Sequence, residues 1–188
     1  MKIAQPTHKT PINSQNPSCD GGNDGSVTLV LSGGTPNYSY LWNNGSGNSS
    51  VASNLGAGFY SVTTTDNSGC TKVDTVSLYD PAVVSISHVI SPVSCRSFSD
   101  GAINIEISGG QTPYSYQWSN GLSNIQDQSN LTAGTYFVTV TDNRGCSEIA
   151  TIIVTEPQDL TATLSGTNPD CFNSNDGFID LTITGGTA

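Results

Sequence analysis

Charge is scarce in this sequence. Five Lys and Arg stand against 15 Asp and Glu in 188 residues, and the net charge is −10. A chain with so few cations has little to set against phosphates, so neither nucleic acid nor an anionic membrane surface is an expected partner. No run of about 18 apolar residues occurs, which argues against membrane insertion through a helix. Histidine is nearly absent. His8 and His88 do not occupy equivalent places in any recurring pattern, and His88 sits where Leu164 stands in a later copy of the same stretch. It therefore reads as a strand residue rather than a base or ligand. GxSxG, HExxH, phosphate-loop and dinucleotide motifs are all missing, and no nucleophile–base pair recurs, so catalysis is not expected. Without a CxxC pair or a His cluster, zinc is disfavoured. Met1 to Pro6 lacks the apolar centre of a signal peptide.

What the sequence does have is repetition. SGGTPNYSYLW, followed by LGAGFYSVTTTDNSGC, returns as SGGQTPYSYQW and LTAGTYFVTVTDNRGC, then begins again as TGGTA. The interval from Cys19 to Cys95 is the interval from Cys95 to Cys171. Cys70 and Cys146, Trp42 and Trp118, and Asp24, Asp100 and Asp176 all keep it. A constant period without insertions marks folded units with matching loops. The expected organisation is the tail of a preceding repeat at 1–6, repeat one at 7–81, repeat two at 82–157 and the opening of a third at 158–188. Both ends then read as cut from a longer array, so missing export signals do not argue against export.

Each repeat reads as β-structure. The Asp-Gly pairs at 24–25, 100–101 and 176–177 are turn chemistry. They launch strands in which Val27, Leu29 and Leu31 alternate with polar residues, matched by Ile103, Ile105 and Ile107 and by Ile179, Leu181 and Ile183. Such alternation buries one face of a sheet and wets the other. After the Gly-Gly pairs, Tyr38, Tyr40 and Trp42, and again Tyr114, Tyr116 and Trp118, fall at every second residue and project from one face. They form either a sugar-stacking platform or the core of a sandwich, and the shortage of other large residues favours the core. Tyr60 and Tyr136 follow Ala-Gly-x in the manner of a tyrosine corner. The turns Asp66–Gly69 and Asp142–Gly145 close hairpins. The fold class expected is all-β, in tandem immunoglobulin-like β-sandwich repeats of about 76 residues each, the size of a small domain. The stretches 43–54 and 119–130 differ most between repeats and are expected to be exposed loops carrying a short strand.

Cysteine is odd in number, at five. Cys19 and Cys70 are 51 residues apart, as are Cys95 and Cys146, and this shared spacing predicts the bridges Cys19–Cys70 and Cys95–Cys146 in an oxidising compartment. The equivalent partner of Cys171 would fall at position 222, so Cys171 is expected to go without its bridge in this chain. An array pulled end to end would then lengthen only between bridges, over the segment from Cys70 to Cys95. Asp24, Asp66 and their equivalents could offer oxygen ligands to Ca²⁺, but the dense DxDxDG spacing is missing, so turn capping is favoured and no cofactor is assigned. Asn44, Asn48 and Asn130 lie in N-x-S/T triplets.

Taken together, these landmarks resemble the SprB repeat family of gliding-motility adhesins. Repeat two carries the pattern at Cys95, Asp100-Gly101, Gly109-Gly110, Pro113-Tyr114, Trp118, Ala133-Gly134, Tyr136, Asp142, Gly145-Cys146 and Glu156-Pro157. Repeat one departs at Pro36-Asn37, at Thr64 in place of a Val, and at Asp80 in place of Glu. The resemblance implies non-catalytic tandem modules of a large adhesin on the bacterial cell surface, exported by the type IX route. They would serve as stalk or adhesive modules in surface attachment or gliding. The partners implied are neighbouring repeats of the same chain and a surface polysaccharide or solid substratum. A carbohydrate-binding module using the Tyr and Trp residues, or an accessory domain of a secreted enzyme, is the alternative.

Overall fold

The structure is a computed structural model that describes residues 12–173 and 175–186, so the expected tail at 1–6 and His8 lie outside the described residues. Among the described residues all regular structure is β. Repeat one supplies β1 (Ile12–Gln15), β2 (Gly25–Leu29), β3 (Ser39–Trp42), β4 (Val51–Leu55), β5 (Gly58–Thr65) and β6 (Thr71–Leu78). Six more strands follow in the same order: β7 (Ser85–Ser91), β8 (Gly101–Ser108), β9 (Ser115–Trp118), β10 (Gln128–Leu131), β11 (Gly134–Thr141) and β12 (Ser147–Val154). The ribbon of β13 (Thr161–Thr167) and β14 (Phe178–Thr184) comes last.

Each set of six strands divides into two three-stranded sheets. In the first set the orders are β1-β2-β4 and β3-β5-β6, and in the second β7-β8-β10 and β9-β11-β12. Neighbouring strands pair antiparallel, with β5 and β6 in register over eight residue pairs from Gly58↔Leu78 to Thr65↔Thr71. Inner faces of the first two sheets meet in one apolar cluster. Val27, Leu29, Ala52 and Leu55 come from one sheet, and Trp42, Val62 and Leu78 from the other. Full burial of such a side chain is worth about 1.5–3 kcal/mol. This immunoglobulin-like sandwich is the expected fold class.

Period-two alternation is realised in β2 and β8 but not at every position where it was read: Leu31 falls outside β2 and is half-buried, as is Ile107. Val27 and Leu29 are buried while Ser26 and Thr28 are half-buried, and Ile103 and Ile105 are buried in β8. The first of these strands is shorter than expected: β2 ends at Leu29, whereas β8 runs to Ser108. Opposite it, Asn54 is the extra residue between the pairs Gly25↔Leu55 and Ser26↔Ser53. It takes a left-handed φ of 57°, as does Asn130 in β10. Asn tolerates that conformation better than other non-glycine residues, which gives Asn130 a backbone role at its triplet. In β14 the matching residues Ile179, Leu181 and Ile183 are exposed, since the ribbon has no second sheet against it among the described residues.

Two compact units emerge from the backbone packing, and they do not follow the repeat boundaries. Residues 108–114 and 141–147, two end loops of the second set of strands, belong to the first unit along with the chain up to 85. The second unit holds 86–107, 115–140 and 148 onward.

Candidate functional site

Only the tryptophans of the aromatic ladder are interior; its tyrosines are half-buried. Trp42 and Trp118 are buried, at 3% and 5% exposure. Their indole N–H groups donate to the carbonyls of Ser49 at 2.9 Å and Ile125 at 2.8 Å, each seven residues on. Tyr38, Tyr40, Tyr114 and Tyr116 are less enclosed than the tryptophans. The Tyr38 and Tyr114 hydroxyls donate to the Gly33 and Gly109 carbonyls, at 2.7 and 2.6 Å, fixing the Gly-Gly loop to the strand that follows it. Both tyrosine corners are formed. Tyr60 donates to the Gly56 carbonyl at 2.9 Å and Tyr136 to the Thr132 carbonyl at 2.8 Å.

The recurring aspartates cap turns. Asp24 accepts the Ser18 N–H, Asp100 the Ser94 N–H and Asp176 the Asp170 N–H, each six residues upstream. The hydroxyl and N–H of Ser18 hold the Asp24 carboxyl below its ordinary pKa, and those of Ser94 do the same for Asp100. Asp66 and Asp142 do more. The Asp142 carboxylate accepts the N–H groups of Gln111, Arg144 and Cys146, each at 2.9 Å, and Asp66 accepts those of Thr35, Ser68 and Cys70 in the same way. Burial acts to raise the Asp142 pKa, but the N–H groups of Gln111, Cys146 and Arg144 outweigh it and leave the pKa lowered. These carboxylates are committed to backbone N–H groups, and no cluster of three or more metal-ligating side chains occurs among the described residues.

The cysteines are bridged differently from the expectation. Cys19 bonds to Cys146, across 127 residues, with a Cα–Cα separation of 5.5 Å. The expected pairs Cys19–Cys70 and Cys95–Cys146 are not formed; Cys70 and Cys95 are exposed thiols outside the bridge, and Cys171 is exposed as well. Topology explains the correction. Cys19 lies in the β1–β2 loop, which is fixed to one end of the sandwich: the Gly21 N–H donates to Asp80 beyond the end of β6, and Gly25 pairs with Leu55. Cys70 lies in the β5–β6 turn at the other end. The eight residues of β5 separate the two, roughly 20–25 Å at strand rise. A disulfide requires Cα atoms within about 7 Å.

A short relay of backbone contacts brings Cys146 to Cys19 instead. The Gly110 N–H donates to the Ala82 carbonyl in the segment just after Pro81, at 2.9 Å. Gly109 and Gly110 take φ of 70° and 59° there, and a Cβ on Gly109 would overlap the Val83 carbonyl, so glycine is required. Gln111 then holds the Asp142 turn, through its N–H to the carboxylate and through the Asn143 N–H to its own carbonyl. Asp142 in turn fixes Cys146, whose sulfur also contacts the Ser18 carbonyl at 3.2 Å. Beside this clasp a groove of about 410 Å³ runs between Asn16, Ser18, Tyr79, Asp80 and Arg144.

The first part of each repeat matches a known family. The SprB repeat family model matches residues 12–47, 87–123 and 163–188, together a little over half of the chain. The chain belongs to the SprB repeat family. No curated protein matches it. Solved structures similar to these SprB repeats include the N-terminal eight immunoglobulin domains of Down syndrome cell adhesion molecule isoform 1.30.30. There the identity is 13% and the TM-score 0.38, over 81% of this chain and 25% of that one. A structure concerning Dscam isoform specificity shows 16% identity and a TM-score of 0.32, covering 80% of this chain and 46% of that one. The full ectodomain of mouse nectin-like molecule 4 shows 13% identity and a TM-score of 0.35, over 83% and 67%. The chain thus spans about a quarter of the first structure and about half of the second.

Sequence reasoning placed the cap aspartates, the tyrosine corners and the tryptophans, but missed the junction. The signals for it were present. Gly-Gly recurs at a fixed distance from the closing Pro, and 127 residues is one repeat plus the 51-residue cysteine spacing.

Proposed function

We propose that this chain is a run of non-catalytic SprB modules in a large exported adhesin of the bacterial surface, serving as stalk and adhesive modules in surface attachment or gliding, with export by the type IX route. The observation that carries this reading is the family match in three successive segments. A covalent bond between repeat one and an end loop of repeat two suits modules that hold together outside the cell, where disulfides persist. The recurring carboxylates accept backbone N–H groups, which supports a structural rather than a catalytic role. Contact with a polysaccharide or solid substratum would fall to the variable loop segments at 43–50 and 119–127, outside the core strands β4 and β10, because the tryptophans are interior. For that reason we do not adopt a sugar platform built on Trp42 and Trp118. No helix among the described residues is long and apolar enough to cross a membrane.

The test uses antibodies raised against this chain, together with source cells lacking the segment. Intact cells should label without permeabilisation, and the deletion should reduce attachment under flow. Labelling only after permeabilisation would contradict the surface placement, and unchanged attachment would contradict the adhesive role.

A further inference from the structure

The first junction is repeated at the second. The Gly186 N–H donates to the Gln158 carbonyl at 3.0 Å, as Gly110 does to Ala82 at 2.9 Å. A Cβ on Gly185 would overlap the Asp159 carbonyl, as one on Gly109 would overlap that of Val83. The Ser97 N–H donates to Glu156 at 3.1 Å, matching Gly21 to Asp80 at 3.2 Å. Arg96 adds ion pairs to Glu156 and Asp159. Each of these groups sits one full repeat beyond its counterpart. Around them lies a cavity of about 280 Å³ lined by Ser94, Cys95, Arg96, Gln158, Asp159 and Leu160. Ser94 stands where Ser18 meets the sulfur of Cys146, and Cys95 stands where Cys19 forms its bond. At the first junction the end of the Asp142–Cys146 turn walls the equivalent place, where a cavity of about 280 Å³ remains between Cys19, Ala82, Val83, Val84, Gly145 and Cys146.

We infer that Cys95 is a docking and disulfide site for the Asp-Asn-x-Gly-Cys turn of a following SprB repeat. The cysteines of an array are therefore laced from the first Cys of each repeat to the second Cys of the next. In the bonding step, the Cys95 thiol and the incoming thiol lose two protons and two electrons to a disulfide oxidant such as oxidised glutathione. One S–S bond forms, and the oxidant leaves as two thiols. Bridges laced this way overlap along the chain. The backbone from Cys146 to Cys171 is then the only stretch that can lengthen in each pair of repeats. Bridges inside repeats would free a stretch of that length in every one.

The experiment extends the full chain by a copy of residues 113–157, which completes the third repeat and places a cysteine at position 222. After oxidation with glutathione, alkylation and non-reducing peptide mapping, Cys95 should be recovered linked to the added cysteine, with Cys19–Cys146 retained. Serine at the added position should leave Cys95 open to alkylation. Linkage of the added cysteine to Cys171, or a Cys95 thiol that stays alkylatable in the extended chain, overturns the inference. A second measurement needs no added module. A peptide of residues 141–148, with its cysteine activated as a pyridyl disulfide, is offered to the 188-residue chain. Coupling severalfold faster at Cys95 than at the exposed Cys70 is expected, and equal or reversed rates overturn the inference.

Discussion

Cys70→Ser and the double variant Cys19→Ser/Cys146→Ser should part company in stability. Cys19–Cys146 closes a loop of 127 residues. In the chain-entropy model a loop of that length destabilises the unfolded state by about 5 kcal/mol, and native bridges commonly contribute about 2–5 kcal/mol. The 51-residue loops of bridges inside each repeat would be worth about 4 kcal/mol apiece in the same model. Magnitude alone therefore does not separate the two pairings, but the identity of the sensitive cysteine does. Cys70 is exposed and outside the bridge, so its replacement should change stability by no more than about 0.5 kcal/mol. The double variant should lose several kcal/mol, a fall of roughly 20 °C or more in the melting of the first unit at about 4–8 °C per kcal/mol for a unit of that size. The assay is calorimetry of oxidised protein with tryptophan fluorescence as a second probe, followed by the same scans after reduction. Reduction should bring the parent down to the double variant and leave the double variant unchanged. A Cys70→Ser protein that melts as low as the double variant would refute the reasoning.

Thr64→Val should stabilise the protein by about 1–3 kcal/mol in chemical denaturation, because the buried Thr64 hydroxyl has no hydrogen-bond partner among the described residues while Val140 fills the same slot in repeat two; a loss of stability would contradict this. Trp118→Ala should cost about 3–5 kcal/mol by emptying a core site, seen as an early unfolding midpoint; a variant of parental stability would mean that the indole lies outside the core. Acid should destabilise the fold from about pH 4 downward. Asp24, Asp100 and Asp142 have folded-state pKa values below their unfolded ones, so their contribution is complete above the unfolded value near 3.9 and is lost as pH falls through the folded one. Melting temperatures measured between pH 6 and 2 should fall over the acid end of that range, and less steeply for Asp142→Asn.

Much of the fold was legible because its determinants are local and occur more than once. Alternation at Val27 and Leu29, the Asp-Gly turns and the Ala-Gly-x-Tyr corners each depend on a few neighbouring residues, and the second copy checks the first. The pairing of cysteines is not local. A constant period fixes their phase along the chain but leaves three in-register choices: within a repeat, from Cys70 to Cys95 across a boundary, or from Cys19 to Cys146 across both repeats. Choosing among them requires knowing which end of the sandwich each loop occupies. That depends on the β5–β6 hairpin carrying Cys70 a strand's length from Cys19, and on Gly109 and Gly110 clasping the segment after Pro81. The Gly-Gly pair announced a turn, and nothing in its two residues announced what the turn would dock against.

Pulling the oxidised chain by its two ends, before and after reductant, tests the cysteine clasp most directly. With Cys19 bonded to Cys146, the 127 residues between them add no length until the bond is cut. Reduction should release them in one event of about 420–460 Å, at about 3.3–3.6 Å per extended residue. Two separate releases of about 170–185 Å each, the length of 51 residues, would mean that the bridges lie within the repeats and would contradict the clasp.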